Sequence, residues 1–534
     1  MAHLICAKCN FFSGNPWLGA IAGMGNKSKQ QLQDWYQRGK ATIARRLEPS
    51  EGGREPRGSG PEFGAETIHY EASSRVQAIP CGGIGAIHQL ARKVGLVNAI
   101  DTRLLILKRH RPYSDSDHIL NIAYNMICGG NVLDDIEVRR NDAAFLDAIG
   151  ARTIPDPTTA GDYCHRFNDG DVKRLMNIVN DIRVGAWKRQ PRAFFDDTAR
   201  IDADGTIVGT TGECKEGMDV AYNGVWGYHP LLISLANTGE PLFIVNRSGN
   251  RPSEEGAAEY LDQAIALVRR GGWKDILLRG DSKFALTKNF DRWDEDGVRF
   301  IFGYCASKRM VKEADSVDDD EYQLLVRKAD IALNARAKQP RVKEEVVRTR
   351  EFRNLRLECE EIAEFEYQPK ATKRPYRVVV LAKTIVEEKG QVTLGYRNRY
   401  FFYITNDRKL SANEVIREAN GRCNQENLIA QLKTGPHSLR APLNSLNSNW
   451  AYMVIASIAW SLKAWFALLV PVDPQRKAQH TADRERVLRM DFRSFVQRII
   501  LVPAQILTTG RRLVYRILAW RPELPILFRF LDGL

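Results

Sequence analysis

The chain has 534 residues, enough for two or three domains, and its 44% hydrophobic and 27% charged residues are ordinary for a soluble globular protein. Lys and Arg outnumber Asp and Glu by 78 to 65, and this net charge of +13 fits a polyanionic partner as well as a merely basic protein. Nine scattered cysteines, with only Cys6 and Cys9 in a CxxC pair, argue against a structural zinc and a disulfide framework. No charged start followed by a sustained apolar stretch opens the chain, so we expect a cytoplasmic protein.

The first third of the chain reads as an extension followed by a helical domain. Residues 1–64 are predicted to be a weakly structured extension, because their signals are weak and they end in a Gly/Pro-rich stretch typical of a linker. Residues 65–190 place apolar side chains three and four apart, which predicts a helical N-terminal domain. Its basic residues make DNA binding one interpretation, although helical domains of this kind serve many functions.

Near residue 200 the apolar period changes from that of a helix to that of a strand. Residues 191–304 are predicted to form three antiparallel strands, then a helix from Ser253 to Arg270, a buried strand KDILLR and a further strand VRFIFG. This order is typical of an α/β fold with a ribonuclease H-like mixed sheet. Residues 305–409 interrupt the alternation with strand-like runs and are predicted to be a β-rich insertion.

The alternation resumes in residues 410–472, which we predict to be the second part of the core, with a helix from about Ser411 to Lys433. The stretch from Trp450 to Val472 is apolar enough to resemble a membrane span, but Lys463 interrupts it, and a buried core helix is the better interpretation. Residues 473–534 hold twelve Arg or Lys against six Asp or Glu and are predicted to form a helical basic tail.

Three acidic residues fall where an α/β sheet places its ligands. Asp204 lies in the first strand, Asp281 follows the KDILLR strand, and Glu426 lies on the helix after the insertion. Three carboxylates brought together repel one another unless they hold cations, and hard oxygen ligands suit Mg²⁺. Taken singly, each acid is more often a turn former, a helix cap or a surface residue. Asp202 points to the same strand face as Asp204, so spacing leaves both open as the first ligand.

The helix around Glu426 places two cations on the carboxylate's face. Arg422 lies one turn before Glu426 and Lys433 two turns after it, which indicates either an ordinary salt-bridged face or a carboxylate flanked by phosphate contacts. This R-x3-E-x6-K spacing resembles the glutamate signature of bacterial insertion-sequence transposases in the hairpin-forming DDE group. Ala419 stands where that signature usually has Tyr.

The resemblance extends over roughly residues 75–470. The runs RCNQENLIAQLKTG and LRAPLNSLNSNWAYMVIASIAWSLKAWFALL look like one subfamily of these enzymes, and Asp-Gly-Thr at 204–206 is similar to the group's first aspartate motif. By resemblance, Asp204, Asp281 and Glu426 are expected to be the catalytic metal ligands, and Arg422 and Lys433 the phosphate contacts. The expected cofactor is two Mg²⁺ ions, with Mn²⁺ as a substitute.

The resemblance also implies the partners. A homodimer is expected to bind double-stranded DNA at the terminal inverted repeats, cleave it, and join the 3′-OH ends to target DNA, within the nucleoid and without a membrane. Two alternatives remain open: a catalytically inactive DNA-binding repressor derived from a transposase, and a ribonuclease H-fold nuclease with another role. Metal-dependent cutting that prefers inverted repeats distinguishes the expected enzyme from both.

Overall fold

The computed structural model describes residues 26–47, 68–70, 76–108, 112–325, 353–389, 392–509 and 512–534. The chain divides into two compact units. The first contains Met1–Ala186, Thr434–Ser438 and Val454–Leu534, and the second contains Trp187–Lys433 and Leu439–Met453. The Cys6–Cys9 pair and the linker predicted at 49–64 lie outside the described residues.

The second unit is built on a nine-stranded mixed sheet. Fifteen strands are described in the whole chain: β1 (Ala78–Ile79), β2 (Ala199–Gly205), β3 (Val208–Gly209), β4 (Asp219–Val220), β5 (Trp226–Tyr228), β6 (Leu231–Leu235), β7 (Glu240–Val245), β8 (Ile276–Gly280), β9 (Arg299–Tyr304), β10 (Gln323–Leu324), β11 (Arg353–Tyr367), β12 (Tyr376–Lys389), β13 (Val392–Thr405), β14 (Ala504–Thr509) and β15 (Arg512–Ile517). The large sheet has the order β10-β11-β12-β13-β9-β8-β2-β6-β7. The pairs β2–β8 and β8–β9 are parallel and the others are antiparallel, so the predicted mixed α/β sheet is confirmed.

Strands β6, β7 and β8 of this sheet are buried on both faces, as their continuous apolar runs require. Every residue of β6, β7 and β8 is buried. The turn between β6 and β7 contains Gly239 at φ 66°, a left-handed conformation that a side chain disfavours. The helix predicted from Ser253 begins at Ala257 and ends at Gly271, with Tyr260, Leu261 and Ala264 among its buried residues.

The strands of the segment predicted as a β-rich insertion continue the same sheet. β13 pairs with β9 from Phe402–Tyr304 to Thr405–Ile301, and β12 and β11 follow it outward. The two sequence runs predicted as separate strands, QVTLGY and RYFFYITND, fall largely within the single strand β13. The insertion therefore extends the central sheet by hydrogen bonding.

Seventeen α-helices are described. They are α1 (Asn26–Leu47), α2 (Ile84–Lys93), α3 (Leu96–Arg103), α4 (Asp115–Ile127), α5 (Ile136–Arg140), α6 (Ala143–Ile149), α7 (Pro157–His165), α8 (Asp169–Trp187), α9 (Ala257–Gly271), α10 (Phe290–Glu295), α11 (Lys308–Asp315), α12 (Ala412–Gly421), α13 (Cys423–Thr434), α14 (Leu446–Leu469), α15 (Lys477–Arg489), α16 (Phe492–Phe495) and α17 (Leu524–Gly533). Helix α1 lies in the segment expected to be weakly structured. That expectation is wrong for residues 26–47, where good helix formers run without proline.

The first unit is mainly helical, as predicted for residues 65–190, and it also has a three-stranded sheet. Strand β14 pairs with β1 on one side and β15 on the other. The prediction of a helical tail is therefore wrong for residues 504–509 and 512–517. Buried and partly buried residues alternate from Ala504 to Leu507, because β14 finds a partner in β1, more than 400 residues earlier in the chain.

The apolar helix α14 is a core helix. Of the described residues, it alone has the length and hydropathy of a membrane span, and 94% of its apolar window is buried inside the protein. Within the first unit, its Lys463 donates a hydrogen bond from Nζ to the Leu488 carbonyl at 2.9 Å. The predicted buried helix is confirmed, and its interrupting lysine is satisfied internally.

Candidate functional site

The helix predicted from Ser411 to Lys433 is divided at Arg422 into α12 and α13. Arg279 Nη1 donates to the Glu418 carbonyl oxygen at 3.1 Å. In a continuous helix that carbonyl accepts from the Arg422 N–H, which instead bonds to Ala419 at 3.2 Å. Gly421 allows this approach, since a Cβ there would lie 2.7 Å from Arg279 Nη1.

Helix α12 is fixed to the sheet by apolar packing. Its buried Val415 and Ile416 belong to one core cluster with Leu277 of β8 and Ile301 of β9. A capping box begins the helix, in which Ser411 and Glu414 satisfy each other's backbone N–H groups. The sheet thereby sets the position of the α12–α13 junction.

Helix α13 is attached to β6 through a buried amide. Gln425 Nε2 donates to the Leu232 carbonyl at 3.2 Å, and its Oε1 accepts from the Ser234 hydroxyl. Leu232 is the register partner of Asp204 on β2. Gln425 therefore places its neighbour Glu426 close to the end of β2, a role that the sequence analysis missed because only the contact reveals it.

Asp202 and Asp204 have different surroundings. Both carboxylate oxygens of Asp202 accept from Arg279, at 2.7 and 2.8 Å, and the two side chains are only 1% and 3% exposed. This ion pair joins the parallel strands β2 and β8, where the two residues are register partners. Asp204, 15% exposed, points its Oδ2 at Arg422 Nη1 at 3.3 Å.

The pKa of Asp204 depends on the charges of the other two acids. The pKa of Asp204 is raised to about 6, with burial as the largest cause and Arg422 opposing the rise. The charges of Asp281 and Glu426 are among the causes that raise it. The three sequence-predicted acids thus interact electrostatically.

Asp281 caps a short turn, and Glu426 is more open than Asp204. Asp281 follows β8, and its Oδ1 accepts from the Lys283 N–H at 2.8 Å as the cap of a short 3-10 turn. Glu426 is 64% exposed, with its Oε1 3.8 Å from Arg422 Nη2. Arg422 therefore contacts two of the three acids and supplies positive charge between them.

Lys433 lies at the other end of α13. Its Nζ donates to the Ile207 carbonyl at 2.9 Å, three residues beyond Asp204. Burial lowers the pKa of this lysine. The structure therefore brings Arg422 and Lys433 to the same strand end as Asp204, one on each side of Glu426 along the helix.

The donor chemistry of the three acids suits a divalent cation. Carboxylate oxygens are the ligands that Mg²⁺ prefers, and mutual repulsion at Asp204 is what a bound cation would relieve. Over the described ranges, no group of three or more His, Cys, Asp or Glu side chains is drawn together closely enough to hold a metal ion. Arg422 forms ion pairs with both Asp204 and Glu426 in the structure.

Comparison with known proteins identifies the family. The model of the family Transposase DDE domain group 1 matches residues 78–532, so the chain belongs to that family. The protein is therefore a DDE transposase, an enzyme that cuts DNA. The transposase resemblance of the sequence is confirmed at this level.

Among solved structures, the chain is similar to the piggyBac transposase in a cryo-EM structure of its synaptic complex with hairpin DNA. The identity is 10% and the TM-score 0.35, over 79% of this chain and 86% of that chain. No curated protein matches the sequence.

Proposed function

We propose that the protein is the transposase of a bacterial insertion sequence of the hairpin-forming group. A homodimer binds the terminal inverted repeats, cleaves one strand at each end and joins the 3′-OH ends to target DNA, in the cytoplasm on the nucleoid. The observation that supports the active site is the position of Arg422, whose guanidinium lies 3.3 Å from Asp204 and 3.8 Å from Glu426. The charges of Asp281 and Glu426 also raise the pKa of Asp204. The order β7-β6-β2-β8-β9, antiparallel and then parallel, supports a ribonuclease H-like core.

In this proposal Asp204, Asp281 and Glu426 would hold two Mg²⁺ ions, or Mn²⁺ in their place, once their carboxylates come closer together than they lie in the structure. Such ions, when bound, supply Lewis-acid stabilisation of an in-line phosphoryl transfer. Asp202 is assigned a structural role, because Arg279 uses both of its oxygens. Asp204 is assigned as the first ligand, because its carboxylate is partly exposed at the end of β2.

Arg422, at the α12–α13 junction, and Lys433 of α13 position the DNA. When DNA enters, Arg422 exchanges its contacts with Asp204 and Glu426 for contacts with two oxygens of a phosphate. A guanidinium group favours this bidentate geometry. Lys433 holds a neighbouring phosphate as a point charge, and it lies beside Ile207 at the same strand end. Gln425 holds α13 against β6 through its hydrogen bond to the Leu232 carbonyl.

An in-vitro cleavage assay tests the proposal. Purified protein and a labelled duplex with the inverted repeat that flanks the gene are mixed with Mg²⁺ or with EDTA. We expect cutting at the repeat end that requires both Mg²⁺ and Glu426, so that Glu426→Gln binds the end but does not cut it.

Glu313→Gln is the matched control. Glu313 lies four residues after Arg309 on α11, 3.8 Å from it, as Glu426 lies 3.8 Å from Arg422. This control should cut at the wild-type rate. Specific binding without cutting by the wild type would support a repressor instead, and cutting without regard to sequence would support a nuclease.

A further inference from the structure

A small sheet beside the candidate site exposes apolar side chains to solvent. It has the order β3-β5-β4. Within seven residues, Val220 is 38%, Tyr222 87%, Val225 39% and Trp226 54% exposed. Exposed apolar clusters of this kind mark surfaces that bind a partner.

The backbone under this cluster is held firmly. The Trp226 carbonyl accepts from the Thr210 N–H at 3.0 Å, and the buried Tyr228 donates from its hydroxyl to the Glu216 carbonyl at 2.8 Å. Gly227 permits the close pairing of β5 with β3, since a Cβ there would lie 2.1 Å from the Val208 carbonyl oxygen. Trp226 is therefore presented on a fixed strand.

A cleft of about 830 Å³ opens next to Trp226. Its lining includes Ile207, Lys215, Trp226, Lys433 and Arg440. The lining residues, all described, include three cations and no carboxylate. Lys433 and Ile207 belong both to this cleft and to the strand end that follows Asp204. The cleft therefore begins where the candidate active site ends.

We propose that this cleft binds an unpaired stretch of DNA that leaves the active site, with phosphates against Lys215, Lys433 and Arg440 and a base stacked on Trp226. The inference rests on the proposed function and extends it to a DNA subsite. Lysines beside an aromatic side chain are the chemistry that recognises single strands, because each base has a face for stacking. In a duplex those faces are covered by neighbouring base pairs, so Trp226 selects unpaired nucleotides.

Fluorescence of 2-aminopurine tests the subsite without any cutting. The probes, in EDTA, are an inverted-repeat duplex with a three-nucleotide single-stranded extension carrying 2-aminopurine, and the same duplex with a blunt end. Wild-type protein should quench the extended probe. Trp226→Ala should abolish quenching and weaken binding of the extended probe roughly tenfold, while binding of the blunt duplex stays unchanged.

Two further variants separate stacking from folding. Trp226→Phe keeps an aromatic face and should restore most of the quenching. Tyr222→Ala removes an exposed aromatic residue from the turn between β4 and β5 that does not line the cleft, and should behave as wild type. Because both side chains are exposed, all three variants should melt at the wild-type temperature.

Other results would overturn the inference. The subsite would be refuted if Trp226→Ala weakened the binding of both probes equally. It would also be refuted if wild-type protein did not quench the fluorescence of the extended probe. A change in sedimentation of the DNA-free Trp226→Ala protein, with DNA binding intact, would show instead a surface between protein copies. If wild-type protein quenches the probe but never cuts DNA, the proposed function is refuted and the subsite stands. If it cuts DNA but does not quench the probe, the subsite is refuted and the proposed function stands.

Discussion

Two aspartates that lie two residues apart should respond in opposite directions to the same substitution. Asp202→Asn removes one partner of an ion pair whose side chains are 1% and 3% exposed, which leaves Arg279 without its main counter-charge. Breaking a buried ion pair in this way lowers the free energy of unfolding by about 3–5 kcal/mol. Glu418, with Oε2 3.2 Å from Arg279 Nη1, compensates in part. Burial raises the pKa of Asp202 in spite of Arg279, which also reduces what its charge contributes. We therefore expect the free energy of unfolding to fall by an amount near the lower end of that range, about 3 kcal/mol.

Asp204→Asn should instead stabilise the metal-free protein at neutral pH. Burial and the two neighbouring acids raise the pKa of Asp204 from 3.8 to about 6. The folded protein therefore binds a proton more tightly than the unfolded chain, and its stability falls as pH rises from about 4 to about 6 and stays low above. Removing the charge of Asp204 raises the free energy of unfolding by at most about 3 kcal/mol at pH 7.5.

Thermal unfolding followed by circular dichroism, at pH 7.5 in EDTA, measures both effects. We expect the melting temperature to fall for Asp202→Asn and to hold or rise for Asp204→Asn. In the cleavage assay Asp204→Asn should be inactive although fully folded. If Asp202→Asn melts as wild type and does not cut, the structural role assigned to Asp202 is refuted and it becomes the first metal ligand.

Three further substitutions follow from the same contacts. Gly421→Ala places a Cβ 2.7 Å from Arg279 Nη1 and should lower the melting temperature, at a cost of about 1–3 kcal/mol for overpacking. Lys463→Met should raise the melting temperature at pH 6 more than at pH 9.5. Burial lowers the pKa of Lys463 to about 7, so wild-type stability rises with pH between about 7 and 10.5. Lys433→Ala should weaken DNA binding and reduce the slope of log K against log salt by about one.

Each of these predictions has an outcome that contradicts it. A Gly421→Ala protein with unchanged melting would show that Arg279 moves without cost. An equal gain for Lys463→Met at both pH values would mean that this lysine titrates as in water. An unchanged salt slope for Lys433→Ala would remove Lys433 from the phosphate contacts.

Much of the local structure followed from the sequence. The runs HPLLISLAN and EPLFIVNR form β6 and β7, and KDILLR forms β8, because continuous apolar residues must be buried on both faces of a sheet. The apolar helix α14 is buried for the same reason. The transposase family was also accessible, because the R-x3-E-x6-K spacing is a local pattern.

The proposed preference for Asp204 over Asp202 as the first ligand rests on the tertiary structure. Their spacing on β2 is equivalent, and only Arg279, 77 residues away, distinguishes them by occupying both oxygens of Asp202. The break at Arg422 is likewise invisible locally, since the helix pattern runs through it and the competing donor comes from β8.

Strand partners were the other feature that sequence could not supply. β14 reads as part of a basic tail until β1 is found beside it, and β13 reads as an insertion until it bonds to β9. A side-chain period reports only which face of an element is buried, and it depends on neighbours along the chain. Which distant element covers that face, or which charge meets a buried carboxylate, depends on packing across hundreds of residues. That packing brought Arg422 and Lys433 to the strand end where Asp204 lies.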